Sequence, residues 1–351
     1  MSHRTTSTDS VFSLDNFKPE LNIKKLSQKL VPPPRFAQAT LDTYIPDHAH
    51  PSQHAAKEYL RNFVHQLNRR RNGLEKFFKS FASPSVLGLY LDGVFGVGKT
   101  HLLAGVHSAF EGKKFYLSFT ELMYLIGYLG LARAAEELGT AHLIAIDEFE
   151  LDDPGNTTMA IGFLQRIFAR GIVVVTTSNT PPSRLGEGRF AVQDFQREIA
   201  MLSSHFHVIK IDGSDYRQRH ALHTSPPHST WHLPNVRKLF LDYHVEQGRK
   251  KAYFTADELL QMLRQFHPMH YLELAETLGA VFIERLSPIT DQFDALRFVY
   301  FVDKLYDHQS KFFASATVPI EELFPKEFYK SAYAKKYLRC LSRLREMCTF
   351  A

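Results

Sequence analysis

The sequence predicts an α/β protein: a parallel sheet covered on both faces, then a second, mixed but mainly helical domain. Three observations carry this. Five short runs rich in Val, Ile, Leu and Tyr, at 86–91, 114–119, 142–147, 171–178 and 207–212, alternate with stretches of helical character. Continuous apolar runs of this kind belong to strands buried on both faces, as in a parallel sheet. A glycine-rich octapeptide, "GVFGVGKT", joins the first run to a helical stretch. The alternation stops after Arg219, where "HTSPPHSTWHLPN" has the Pro, Ser and His content of a surface loop.

Taken in order, the first ~30 residues show no apolar period, and "VPPPR" then stiffens the backbone. Residues 1–34 therefore read as a flexible tail, 35–220 as the α/β core and 221–351 as the C-terminal domain. From Gln53 to Ser80, apolar residues recur at three- and four-residue steps, the spacing of an amphipathic helix with an interruption near Gly73. The basic cluster "NRRRNG" reads as a solvated helix end, where cations oppose the negative end of the dipole. In the C-terminal part, helices are expected over 235–246, 255–266, 269–279 and 291–308, strands over 280–286 and 311–318, and a basic helix at the end.

Composition excludes several classes. At 351 residues the chain exceeds the roughly 250 to 300 at which single cores divide, which favours two domains. No apolar run approaches the roughly 18 residues of a membrane helix. The polar N-terminus lacks the apolar core of a secretory signal, so a cytoplasmic address is expected. Cys340 and Cys348 have no His or Cys at metal-ligand spacing and read as packing thiols. A net charge of +5, with acidic residues interspersed, does not by itself indicate nucleic acid.

"GVFGVGKT" fits the pattern G-x-x-x-x-G-K-[ST] at Gly93, Val94, Phe95, Gly96, Val97, Gly98, Lys99 and Thr100. Between a strand and a helix, such glycines let backbone N–H groups close on a phosphate, aided by the helix N-terminus. Lys99 is expected to reach the β and γ phosphates, and the Thr100 hydroxyl to ligate Mg2+. The run "HLIAIDEF" ends in Asp147, a second candidate for holding the metal, at the strand end where ligands of open α/β sheets collect. Glu148 follows and is placed to deprotonate or orient a lytic water, which favours hydrolysis over transfer to a small acceptor. Asn179 ends "VVVTTSN" and either holds that water beside the γ-phosphate or caps the next helix.

In this order and spacing, the phosphate loop, the acidic pair and the strand-terminal Asn resemble an AAA+ ATPase. Within that superfamily the chain is most similar to the ZapE group, bacterial relatives of the mitochondrial Afg-type ATPases. The likeness rests on "DEFELDDPGNTTMAIGFLQRIFARGIVVVTTSNTPPSRL", "IDGSDYR", "ALRFVYFVDKLYD" and "LSRLREM", and runs from about Arg35 to Met347. The stretch "PPPRFAQATLDTYIPDHAHPSQHAAKEYL" resembles the actinobacterial branch. The resemblance implies a P-loop NTPase core of the AAA+ type with a five-stranded parallel sheet and a C-terminal lid. It further implies Mg-ATP hydrolysis that remodels a protein partner, FtsZ in bacteria and inner-membrane complexes in mitochondria. A homo-oligomer sharing ATP sites is implied too, with peripheral association with membrane-bound division machinery.

The resemblance directs attention to further residues. The arginine that AAA+ proteins lend to a neighbouring subunit's site is sought at Arg189 or Arg197, with Arg170 behind them. Arg297, amid large apolar residues, is either a γ-phosphate contact or part of an internal salt bridge, with Arg343 the other candidate. Adenine contacts are expected from the strap before the first core helix, at Tyr44, Ile45 and Gln53, largely through the backbone. Phe95 shields the loop, meets a neighbour, or simply packs. Val97 and Asp194 depart from the family, where arginine is frequent. A nucleic-acid motor or helicase loader is the competing class. No helix-turn-helix signature or basic groove with interleaved aromatics supports it, and stable nucleic-acid binding is not expected.

Overall fold

The computed structural model describes residues 10–19, 29–71, 87–94, 96–151, 154–182, 185, 199–201, 203–213 and 230–349. The chain forms two compact units, Ile23–His223 and a second made of Met1–Asn22 with Thr224–Ala351.

Among its described residues the first unit holds five strands: β1 (Gly88–Gly93), β2 (Lys114–Ser118), β3 (Leu143–Asp147), β4 (Val173–Ser178) and β5 (Phe206–Ile211). They form one sheet in the order β2-β3-β4-β1-β5, parallel throughout, as the apolar runs predict. Every residue of β3 is buried, because helices cover both faces. The period of two is visible in β1. Leu89 and Leu91 join the cluster beneath helices α1 (Pro51–Arg71) and α2 (Lys99–Ala109), with Leu60, Val64, Leu102 and Val106. Tyr90 points the other way, edge-on to Phe149 and Phe206. That face carries α3 (Phe119–Leu129), α4 (Leu131–Leu138) and α5 (Pro154–Ala169).

Local chemistry sets the helix ends. Pro51 opens α1, where its missing N–H costs nothing, and the basic run of the sequence closes it at Arg71. The interruption expected near Gly73 lies outside the described residues. At α3 a capping box satisfies two orphan donors: Ser118 Oγ accepts from Glu121 N (3.2 Å), and Glu121 Oε2 accepts from Ser118 N (2.6 Å).

The second unit contains α6 (Val236–Asp242), β6 (Lys250–Thr255), α7 (Ala256–Gln265), α8 (Tyr271–Thr277), β7 (Leu278–Glu284), α9 (Gln292–Asp307), β8 (Lys311–Ser315) and α10 (Ala334–Thr349). Its three strands form a parallel sheet in the order β6-β7-β8. The sequence pattern leaves β6 unassigned, and extends α6, α8 and β8 beyond their observed ends. Trp231 is buried, stacks on Phe312 and donates from Nε1 to Val318 O at 2.8 Å.

Both edges of this small sheet are covered, which removes templates for unwanted strand pairing. On the β8 side, Leu233 N donates to Ala314 O and Ala314 N to Thr230 O. On the β6 side the cover comes from residues 10–12, within the stretch 1–34 that the sequence pattern reads as a flexible tail. Lys251 N donates to Ser10 O (2.8 Å) and Phe12 N to Lys251 O (2.9 Å). The Phe12 and Phe17 rings then meet Phe254 and Phe266 edge-on. Without a helical or strand period, two aromatics five residues apart still suffice to dock an edge. Within the first unit Leu30 is also held, its carbonyl accepting from Tyr116 N at 2.8 Å.

Candidate active site

The loop after β1 is shaped by its glycines. Gly96 and Gly98 have φ of 77° and 85°, left-handed values that disfavour any side chain. A Cβ on Gly98 would also fall 2.5 Å from the Tyr44 ring. Gly98 caps α2, so the N–H groups of the first turn face the loop and create an anion site. Phe95 lies outside the described residues.

Lys99 is 8% exposed, and its Nζ donates to Gly93 O (2.6 Å), Val94 O (2.7 Å) and Asn179 Oδ1 (2.8 Å). Burial lowers its pKa to about 8, against the raising pull of Asp147, Asp92, Glu148 and Glu150. Asn179 therefore stands at the Lys99 ammonium; its Nδ2 donates to Glu150 Oε1 at 3.4 Å.

Asp147 ends β3 within a cage of hydroxyls. Its Oδ1 accepts from Thr177 Oγ1 (2.5 Å) and Thr100 Oγ1 (3.3 Å), and its Oδ2 from Tyr116 OH (3.0 Å). Burial and then the neighbouring Glu148 push its carboxyl above the usual carboxylate range, and the three hydroxyls pull it back. Glu148 takes the left-handed conformation, φ 56°, as β3 leaves the sheet. Its N–H donates to Thr177 Oγ1 at 2.9 Å. Sequence reasoning missed Thr177, Tyr116 and the buried Glu150. The third acid of "DEFE" is the only one of these with a signal in the motif itself.

The strap before α1 is fastened to the loop. Tyr44 OH donates to Val97 O at 2.8 Å, and His101, next to Thr100, lies 3.0 Å from Thr43 Oγ1. Gln53 Nε2 donates to Asp212 O (2.9 Å), while its Oε1 accepts from Asp47 N (2.8 Å). The Tyr44 and Gln53 side chains thus hold the strap and loop, whereas Ile45 is 88% exposed. Val97 has a physical reason to be apolar: its Cγ atoms fill a niche against Gly93 and Gly213, and it is 4% exposed.

The arginine candidates fare differently. Arg189 and Arg197, like Asp194, lie outside the described residues. Arg170 donates to Ala135 O at the end of α4, an intramolecular use. Arg343 is internal: Nη1 pairs with the buried Asp303 at 2.5 Å, beside Arg339, and the guanidinium lies over the Tyr306 ring. Arg297, on α9, has a buried Nε without a hydrogen-bond partner.

Strand, glycine loop, helix N-terminus, buried lysine and an acidic pair at the end of the neighbouring-but-one strand define a P-loop nucleotide triphosphatase. The AFG1-like ATPase model matches residues 21–244 and 243–350, and the chain belongs to that family. It is an AAA+ ATPase. Cell division protein ZapE of Escherichia coli K12 is 28% identical over 301 residues, covering 75% of this chain and 78% of the relative. An uncharacterized protein of Schizosaccharomyces pombe is 24% identical over 256 residues, covering 58% of this chain and 56% of its own. Among solved structures, the DnaC helicase loader aligns at 18% identity and TM-score 0.38, over 51% of this chain and 99% of that one. AMPPCP-bound DnaA of Aquifex aeolicus aligns at 14% identity and TM-score 0.37, over 52% of each chain.

Proposed function

We propose that this ATPase hydrolyses Mg-ATP at the loop 93–100 and uses the energy to remodel a protein partner in cell division. The observation that carries the reading is the convergence of Lys99, Thr100, Asp147, Glu148 and Asn179 at one end of the parallel sheet. Thr100 and Asp147 suit Mg2+: two hard oxygen donors 3.3 Å apart, one of them anionic. When bound, the ion supplies charge neutralisation between the phosphates.

The chain's own groups supply the rest. The α2 N-terminus and Lys99 bind the phosphates, Glu148 accepts a proton from the attacking water, and Asn179 orients it. The strap at Tyr44 and Gln53 lies beside the base through its backbone, its side chains being engaged in holding the loop. Arg297 is the proposed γ-phosphate contact, and Arg189 or Arg197 the cation lent to a neighbouring subunit of a homo-oligomer. The relative's name, a cell division protein, and the motifs shared with the ZapE group support FtsZ as the partner.

ATP turnover measured at several protein concentrations, in wild type and Glu148→Gln, tests the catalytic half. A general base contributes roughly 10²–10⁴-fold, so the variant is expected to lose at least about 100-fold in turnover while still binding nucleotide. Unchanged turnover removes Glu148 from catalysis, and concentration-independent turnover removes the shared site. For the partner, ATP-dependent change in FtsZ polymer light scattering is expected, and absent in Glu148→Gln. Tight DNA binding at physiological salt without any effect on FtsZ overturns the protein-remodelling reading.

A further inference from the structure

We propose that Thr177 is a positioning residue for hydrolysis, its single hydroxyl fixing both members of the acidic pair. The β3–β4 ladder runs in register only to Ile146 opposite Thr176. One residue later β3 departs, and Thr177 takes over from the ladder. Its Oγ1 has one proton, which goes to Asp147 Oδ1 (2.5 Å), and a free lone pair, which accepts the Glu148 N–H (2.9 Å). Its carbonyl accepts from Phe149 N at 2.7 Å. Three consecutive residues, 147 to 149, are thus tied to one residue of the next strand.

The middle one carries the strain. A side-chain-bearing residue at φ 56° persists only where its surroundings over-determine it, and the pinned N–H does that for Glu148. The direction in which the Glu148 side chain leaves the sheet follows from that φ. The same hydroxyl holds the Asp147 oxygen that also faces Thr100. Thr177 is 1% exposed, so no water replaces its hydroxyl if it is lost. Tyr116 donates to the other Asp147 oxygen.

This inference rests on Glu148 being the base, and the experiment separates the two ideas. Steady-state ATP turnover and mant-ATP affinity are measured on the full chain for Thr177→Val, Thr177→Ser and Glu148→Gln, with circular dichroism as the fold check. Thr177→Val is expected to lower kcat about 10- to 100-fold with mant-ATP affinity within about threefold, the pattern of a purely transition-state loss. Thr177→Ser keeps the hydroxyl and is expected to stay within about threefold of wild type. Turnover of Thr177→Val within twofold of wild type overturns the proposal, as does an equal loss in Ser and Val or a parallel loss of affinity. If Val does not fold, Thr177→Ala replaces it; failure of both to fold assigns the hydroxyl to stability and likewise overturns it. Wild-type turnover in Glu148→Gln instead overturns the base assignment, whatever Thr177 does.

Discussion

His107 sits in the last turn of α2, 7% exposed, its ring edge-on to Tyr116 and its Nε2 without a hydrogen-bond partner. Burial, reinforced by Lys114, lowers its pKa to about 4. The neutral ring is therefore the native form, and the unfolded chain, titrating near 6.5, binds a proton that the folded chain refuses. Stability is then constant above about pH 6.5 and falls as pH drops from there toward 4, by up to about 3 kcal/mol at 1.4 per pH unit. Urea unfolding at pH 7 and pH 5 is expected to show a steeper loss in wild type than in His107→Met. Equal losses refute the assignment. At this scale the sequence reveals residues whose type the proposed phosphate and metal chemistry demands: Lys99, Thr100, Asp147, Glu148 and Asn179. It hides Thr177 and Tyr116, because their role depends on which residue of a neighbouring strand lies opposite Asp147, and that register is set by tertiary packing.

Elements follow the same division. The five core strands are legible because burial on both faces writes a continuous apolar run into each. Strand β6 is not, since it begins Lys250-Lys251 and reads as polar. The Lys251 ammonium is nevertheless buried, donating to the carbonyls of Phe240 (2.5 Å), Leu241 (3.1 Å) and Tyr243 (2.8 Å) at the end of α6. A cation satisfied by orphan helix carbonyls costs the strand little and favours the local dipole. The N-terminal segment is hidden for the opposite reason: it is a single strand-edge contact, too short to show a period. Each half-buried phenyl contributes on the order of 1–2 kcal/mol through apolar burial. Phe12→Ala with Phe17→Ala is expected to lower the midpoint reported by Trp231 fluorescence by about 5 °C or more, and to speed exchange of the Lys251 amide. An unchanged midpoint and unchanged exchange mean the segment only rests on β6.

For the whole molecule, the informative fact is that the glycine loop 93–100 and the sole tryptophan belong to different compact units. Trp231 is buried against Phe312 in the unit made of the two chain ends, so its fluorescence follows that unit alone. Far-UV circular dichroism follows both. A ligand that binds only the folded form stabilises what it binds by RT ln(1 + [L]/Kd), about 2.7 kcal/mol at a hundredfold excess over Kd. Mg-ATP held without turnover in Glu148→Gln is therefore expected to raise the circular dichroism midpoint of the core. The rise is expected to disappear once Lys99→Ala is added, and a core midpoint indifferent to Mg-ATP in Glu148→Gln overturns nucleotide binding at the loop 93–100.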